Sequence, residues 1–205
     1  MTPNPSIERM PNRLRRSVPA HVKRWAPKPT SMNIATSNAE CVLRHWRPED
    51  KPSLVRHANN RNVWRNLTHS FPHPYTPEEA ESWVAMANEQ SASLHLAVVF
   101  KGEAIGGIGA IAGEGIFQRT AQFGYWLGEA HWHKGLATAA AGAMVEHLRG
   151  TNAFARLEAP VFAWNPRSMR VLEKVGFVRE GLLKRSVFKD GQLIDSVLYA
   201  LVADT

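Results

Sequence analysis

Residues Gly128 to Leu148 read GEAHWHKGLATAAAGAMVEHL, and this stretch decides the fold that the sequence predicts. Gly135 precedes a run of alanines at helical spacing and lets the backbone approach a ligand closely. The unpaired N–H groups of a first helical turn and the positive end of the helix dipole together favour a phosphate there. The alternative is an ordinary alanine-rich core helix. A nucleoside triphosphate loop is excluded, because it requires a second glycine and a Lys-Ser/Thr pair.

The composition of the 205 residues is that of one folded, soluble domain with an appendage. Hydrophobic residues make up 44% and charged residues 21%, and no apolar run approaches the roughly 18–20 residues of a membrane span. The single cysteine, Cys41, excludes an internal disulfide and indicates a reducing, cytoplasmic compartment. Its setting in CVLRHW predicts a buried strand residue rather than a nucleophile.

The net charge of +7 comes almost entirely from residues 1–39, which hold seven Lys and Arg residues against Glu8 alone. This Pro- and Arg-rich segment has no regular period and is predicted to be a disordered extension. An organelle transit peptide, a nucleic-acid arm and a natural start at Met32 remain alternatives for it. Residues 40–205 are nearly neutral and are predicted to form one domain, which argues against nucleic-acid binding by the folded part.

The periodicity of residues 40–205 predicts alternating strands and helices. Strands are expected at 41–46, 94–100, 104–111, 120–128, 156–163, 181–189 and 193–202. Helices are expected from Pro48, at 61–67, from Pro77 with Thr76 and Glu79 as a capping box, at 135–149, and from Pro166 to a stop at Gly176. The fold class is therefore α/β (α+β), with a mixed central sheet of about six or seven strands and helices on both faces.

A proline-stiffened aromatic loop, residues 71–75, precedes the capped helix. Its Phe71, His73 and Tyr75 are candidates for contacting a substrate, with a packed connector as the alternative. No metal site is expected. His69 and His73 are separated by a proline, and His131 and His133 have no third ligand nearby.

Two segments in order, FGYWLGEAHWHKGLATAAA (123–141) and WNPRSMRVLEKVGFVREG (164–181), resemble the GCN5-related N-acetyltransferase (GNAT) family. Within it, they resemble the branch of ribosomal-protein N-terminal acetyltransferases. The resemblance implies that the strand at 123–128 carries a bulge and splays away from the strand at 156–163. It also implies acetyl-CoA as the cofactor, held by residues on both sides of that gap: Trp126, Leu127, Gly128, His133, Lys134, Gly135, Leu136, Ala137, Thr138, Asn165, Ser168 and Lys174. Trp132 replaces a polar residue of many members and is expected to pack.

The resemblance further implies direct attack of a neutral amine on the acetyl thioester. Leu172 occupies the position of a tyrosine acid found in much of the family, which leaves Ser168 to protonate the leaving thiolate. Gln122 stands where a glutamate base would be expected. The base is therefore Glu129, Glu158 or a water molecule.

The expected function is acetyl transfer to a primary amine, either a protein N-terminus or a small molecule, by a monomer or homodimer. A different class remains: a catalytically silent acyl-CoA-binding module whose basic tail docks on RNA or ribosomes. Turnover on an amine, or its absence, separates the two.

Overall fold

A computed structural model describes residues 32–89 and 93–203 of the chain. Its sheet is mixed and has eight strands, in the order β1-β2-β3-β4-β5-β6-β8-β7. The strands are β1 Asn33–Ala35, β2 Cys41–Arg44, β3 Ser93–Phe100, β4 Glu103–Ala112, β5 Thr120–Leu127, β6 Arg156–Phe162, β7 Val178–Lys189 and β8 Gln192–Val202. The helices are α1 Lys51–Ala58, α2 Arg61–Trp64, α3 Pro77–Glu89, α4 Leu136–Gly150 and α5 Pro166–Lys174.

The eighth strand is β1, which lies inside the segment expected to be a disordered extension. Asn33 pairs with Arg44 and Ala35 with Val42, so the sheet begins before the expected boundary at residue 40. A three-residue edge strand has too few alternating positions for its period to be visible in the sequence. The predictions for residues 1–31 lie outside the described part of the chain.

Helices cover both faces of the sheet, as predicted, because β3 contributes alternate residues to two cores. Leu94, Leu96 and Val98 pack with α4 and α5 in the larger cluster. Ala97 and Val99 pack with α1 and α3 in the other. Cys41 lies in the larger cluster at 2% exposure, and burial raises the pKa of its thiol, as expected of a structural cysteine.

The capped helix α3 forms as its sequence predicts. The Glu79 N–H donates to Thr76 Oγ1 at 3.3 Å, and Pro77 occupies the first helical position. Ala80, Val84 and Ala87 are buried on one face. This helix fixes the end of the 71–75 loop against the second core.

The sheet opens between β5 and β6, its one parallel neighbouring pair. These strands pair only from Thr120↔Arg156 to Gln122↔Glu158. Beyond that point β5 continues along β4 to Leu127, while β6 continues along β8 to Phe162. The two strands therefore part and leave a V-shaped gap, as the splayed pair predicts.

The prediction of a bulge in the central strand, β5, is wrong. The β4–β5 register is unbroken from Gly106↔Leu127 to Ala112↔Ala121. Register shifts instead occur between Val98 and Val99 in β3 and twice in β7. Divergence of two regular strands is sufficient to open the gap.

Candidate active site

The loop before α4 has the backbone shape of an anion cradle. His133 and Gly135 both have positive φ, of 62° and 74°. The first helical hydrogen bond runs from the Ala139 N–H to the Gly135 carbonyl, at 3.0 Å. The N–H groups of Leu136, Ala137 and Thr138 precede it and have no partner one turn back in the helix. A Cβ at Gly135 would meet no atom within 4 Å, so the space in front of the loop is open.

Side chains around this loop divide into packing residues and exposed cations. Trp132 is half-buried and donates its indole N–H to the Leu127 carbonyl at 2.8 Å, which agrees with the expected packing role. Lys134 and Arg167 are exposed, and the Arg167 guanidinium lies 5.9 Å from the Trp132 ring centre. Arg167 was not among the predicted residues, although it adjoins Ser168 in the second segment.

The cofactor prediction for Lys174 concerns the C-terminal end of α5. Lys174 is the last residue of α5, and the next residue, Val175, packs beside Gly142 in the middle of α4. The cradle lies at the first residue of α4, Leu136. At the rise per residue of an α-helix, this position is about 9 Å along the helix from Gly142. Lys174 therefore stays a predicted cofactor contact, carried at the end of α5 rather than on the loop of His133 and Gly135.

The backbone N–H groups at the end of β5 point in two directions, some toward β4 and one toward the gap. Gly128 donates its N–H to the Ile105 carbonyl at 2.8 Å, so it faces β4. Successive N–H groups of a strand point to opposite edges, so the Trp126 N–H also faces β4 and the Leu127 N–H faces the gap. Of the predicted group Trp126, Leu127 and Gly128, only Leu127 therefore offers its amide to a ligand in the gap.

Trp126 nonetheless borders the gap, and two glycines of β4 determine its position. A Cβ at Gly106 would lie 2.2 Å from the Trp126 carbonyl oxygen, and one at Gly107 would lie 2.8 Å from its indole nitrogen. Both distances are far below van der Waals contact. The half-buried indole also meets Phe71 edge to face, with ring centres 5.3 Å apart.

Tyr125 and Ser168 join the two arms of the gap. The Tyr125 phenol donates to the Ser168 carbonyl at 3.0 Å and lies 2.9 Å from Ser168 Oγ. Burial raises the pKa of Tyr125 to about 12, with the Ser168 hydrogen bond acting in the opposite direction. Asn165 Oδ1 accepts the Ser168 N–H at 3.2 Å and so caps α5.

Tyr125 is a residue that the sequence reasoning missed. A tyrosine was sought on the helix at position 172, where Leu172 is fully buried in the larger core. The phenol comes instead from β5, across the gap. The alternation of β5 places Phe123 and Tyr125 on one face, which was the available signal.

The two carboxylates proposed as bases lie in different surroundings. Glu129 follows β5 and accepts hydrogen bonds from the side-chain amides of Asn60, at 2.8 Å, and Asn62, at 2.9 Å. Glu158 lies 2.6 Å from the Arg156 Nε, and Arg156 also pairs with Glu180. These two carboxylates raise the pKa of Arg156. Glu158 is thus held by a cation, whereas Glu129 faces α2.

The aromatic loop divides into a buried and an exposed part. Tyr75 is 4% exposed in the second core, and burial raises the pKa of its phenol, so it is a packing residue rather than a substrate contact. Phe71 is half-buried between Tyr75 and Trp126. His73 is exposed and lies against Trp64 of α2, with ring centres 5.6 Å apart.

Two contacts tie α2 to the turn between β7 and β8. Arg61 forms an exposed ion pair with Asp190 at 2.7 Å. Lys189 Nζ lies 3.7 Å from the centre of the Trp64 ring. Among residues 32–89 and 93–203, no group of three His, Cys, Asp or Glu side chains could hold a metal ion. None of the helices in these ranges has the length and apolarity needed to cross a bilayer.

Solved structures share this architecture. The structure titled RimL, a ribosomal L7/L12 α-N-protein acetyltransferase in complex with coenzyme A, superposes with a TM-score of 0.74 at 20% identity, covering 83% of this chain and 98% of its own. Mycobacterium smegmatis RimJ in complex with CoA-disulfide gives a TM-score of 0.71 at 26% identity, covering 84% and 87%. The fold is thus that of N-acetyltransferases.

The sequence comparison names the family. Residues 40–178 match the profile of the Acetyltransferase (GNAT) domain, and the chain belongs to that family. The ribosomal-protein-serine acetyltransferase of Escherichia coli (strain K12) is 33% identical over 87 residues, which are 42% of this chain and 49% of that protein. The [ribosomal protein uS5]-alanine N-acetyltransferase of the same organism is 36% identical over 78 residues, 38% and 40% respectively. The chain thus spans about half the length of these curated relatives, or less.

Proposed function

We propose that this protein transfers an acetyl group from acetyl-CoA to a primary amine. The observation that carries the proposal is the gap between β5 and β6, with an open cradle at Gly135 beyond its end and the Tyr125–Ser168 pair across it. The family, and solved relatives in complex with coenzyme A, support the same reading.

The residues present fit coenzyme A. The N–H groups of Leu136, Ala137 and Thr138 and the loop of His133, Lys134 and Gly135 suit a pyrophosphate, because they combine a helix N-terminus with positive charge. Arg167 adds a cation beside this loop. The Leu127 N–H would hold the pantetheine arm by a sheet-like hydrogen bond, with Asn165 at its other side. When bound, acetyl-CoA supplies the acetyl group as an activated thioester.

Tyr125 and Ser168 are proposed to give the leaving sulfur its proton. A phenol with a pKa near 12 remains protonated at neutral pH, and its hydrogen would turn from the Ser168 carbonyl to the leaving sulfur. Ser168 Oγ lies 2.9 Å from it and can restore the hydrogen bond that the phenol gives up. Ser168 thus keeps a catalytic role in the proposal, as the partner of Tyr125.

Glu129 is proposed to take the proton from the amine, directly or through a water molecule. Its carboxylate is held in place by hydrogen bonds from the neutral side-chain amides of Asn60 and Asn62. Glu158 is the weaker candidate, because its carboxylate is engaged by Arg156 Nε at 2.6 Å and is less free to meet an incoming amine.

The acceptor is proposed to enter between α2, the 71–75 loop and the turn between β7 and β8. Phe71 and His73 line this side. The Phe71 ring contacts Trp126, and the His73 ring contacts Trp64. The E. coli relatives are named for ribosomal proteins, which favours a protein N-terminus and a cytoplasmic setting. A small-molecule amine is the second candidate, and the enzyme acts as a monomer or homodimer.

The test is release of coenzyme A thiol from acetyl-CoA against a panel of N-terminal peptides and small amines, with the reaction lacking an amine as control. Turnover on peptides alone supports the protein-modifying reading, and turnover on small amines alone keeps the chemistry and changes the acceptor. Binding of coenzyme A without thiol release on any amine would instead favour the silent module with a basic tail.

A further inference from the structure

Four side chains that carry hydrogen-bond donors lie where α2 approaches the ends of β6 and β7. We call this group, Trp64, Arg65, Trp164 and Lys189, the α2 crevice. The last residue of α2 and the residue after it make its contacts. Trp64 lies over Lys189 at 3.7 Å, and the Arg65 guanidinium lies 5.0 Å from the centre of the Trp164 ring.

Two of these donors are buried and unpaired. Lys189 is 1% exposed, and its Nζ has no hydrogen-bond partner in the described part of the chain. The indole nitrogen of Trp164 is buried and likewise lacks a partner there. Buried polar groups normally find partners, since an unsatisfied donor loses its hydration without replacement. Both groups are donors, so the missing partner is a hydrogen-bond acceptor.

The charge around the crevice points to an anion. Within the described ranges, no ion pair joins Arg65 or Lys189 to a carboxylate. Asp190, the adjacent acid, is engaged by Arg61 through both carboxylate oxygens, at 3.0 and 2.7 Å. Burial lowers the pKa of Lys189 and Asp190 raises it, which is the behaviour of an ammonium that lacks full compensation.

We propose that the α2 crevice binds a carboxylate of the acceptor, so that the preferred substrate is a primary amine with an acidic group close to it. Lys189 leaves the Trp64 ring face to meet one carboxylate oxygen. Arg65, which is exposed at the mouth, and the Trp164 indole N–H serve the other. A lysine stem has the reach and flexibility for this movement, and the ion–carboxylate hydrogen bond replaces a weaker ring contact.

The position of the crevice relative to the gap suits the binding of an acceptor carboxylate. Trp64 also contacts His73 of the aromatic loop, whose Phe71 contacts Trp126 on the β5 arm of the gap. Trp164 follows β6, the other arm. An acceptor whose amine lies in the gap would therefore extend toward the crevice. This inference rests on the proposed acetyltransferase function and specifies its substrate class.

The experiment compares two peptides that differ only in their second residue. Both begin with serine, which is followed by glutamate in one peptide and by glutamine in the other. Wild-type kcat/KM is expected to favour the glutamate peptide about tenfold, as for a single charge-assisted contact. Lys189→Met should abolish the preference and leave the KM for acetyl-CoA unchanged, while Lys189→Arg should retain part of it. Lys184→Met removes an exposed lysine of the same strand and serves as the control for overall charge.

Equal kcat/KM for the two peptides, or a preference that survives Lys189→Met, would overturn the proposal. If no amine is turned over at all, calorimetry with coenzyme A present separates the two claims. Tighter binding of the glutamate peptide, lost in Lys189→Met, would support the crevice even though the acetyltransferase function had failed. Equal binding of both peptides, or none, would reject the crevice independently.

Discussion

The cofactor side of the gap and its acceptor side are built from different parts of the polypeptide. The proposed cofactor side consists of backbone N–H groups of consecutive residues around Gly135 and the start of α4. The proposed acceptor side consists of side chains from α2, the 71–75 loop, Glu129 and the β7–β8 turn. Asn60 reaches Glu129, and Arg61 reaches Asp190 across 129 residues of sequence. A backbone site therefore leaves a local pattern in the sequence, and a side-chain site does not.

The largest expected effect tests the cofactor side. Gly135→Glu places a carboxylate at the anion cradle and a Cβ at a φ of 74°, so we expect the KM for acetyl-CoA to rise about 100-fold or more. Steady-state kinetics and coenzyme A binding measure it. Gly102→Glu is the matched control, because Gly102 also has positive φ and open space but lies in the β3–β4 turn. An unchanged KM in Gly135→Glu would remove the cradle from the site.

The next largest effect is expected at the Tyr125–Ser168 pair, which joins the two arms of the gap. Tyr125→Phe should lower kcat about 10- to 100-fold, because the donor to the leaving sulfur is lost, with little change in either KM. Since burial raises the pKa of the phenol to about 12, the wild-type rate should not decline through loss of this proton near neutral pH. Tyr75→Phe, at a buried phenol of the other core, is the control. A full rate in Tyr125→Phe would assign the donor elsewhere.

The sequence predicted most of the fold and the cofactor loop for one physical reason. Periodicity, caps and glycines act over a few residues, so the hairpin at Lys101, the cap at Thr76 and the cradle at Gly135 are all encoded locally. Tyr125 was missed because its role depends on α5 approaching β5 across the gap. The absent bulge shows the same limit, because the register of β5 depends on its pairing with β4. The strand β1 was missed for another reason, since three residues are too few to show a period.

A smaller effect distinguishes the two carboxylates. Glu129→Gln should lower kcat/KM about tenfold at neutral pH, since an amide cannot accept the proton, and should leave the KM for acetyl-CoA unchanged. Glu158→Gln should change the rate less than about twofold, because Glu158 is engaged by Arg156. Measurement of both variants across pH decides between them. A larger loss in Glu158→Gln would reverse the assignment.

The smallest effect tests how firmly the acceptor side is held. Arg61 and Asp190 form an exposed pair, so a double-mutant cycle of Arg61→Ala and Asp190→Ala should give a coupling below about 1 kcal/mol in the free energy of unfolding. The KM for the acceptor should rise modestly and that for acetyl-CoA should not change. Equal effects on both KM values would contradict the separation of the two sides.

The glycines beneath Trp126 have a consequence for how this protein tolerates mutation. Neither Gly106 nor Gly107 carries a side chain, yet any other residue there would collide with Trp126. In a saturation screen for activity, both positions should reject nearly every substitution, as strongly as residues that touch a ligand. Substitutions at exposed residues of the acceptor side, such as Arg65 and His73, should instead change which amine is preferred. Selection can therefore change the acceptor without disturbing the strand that supports the reaction.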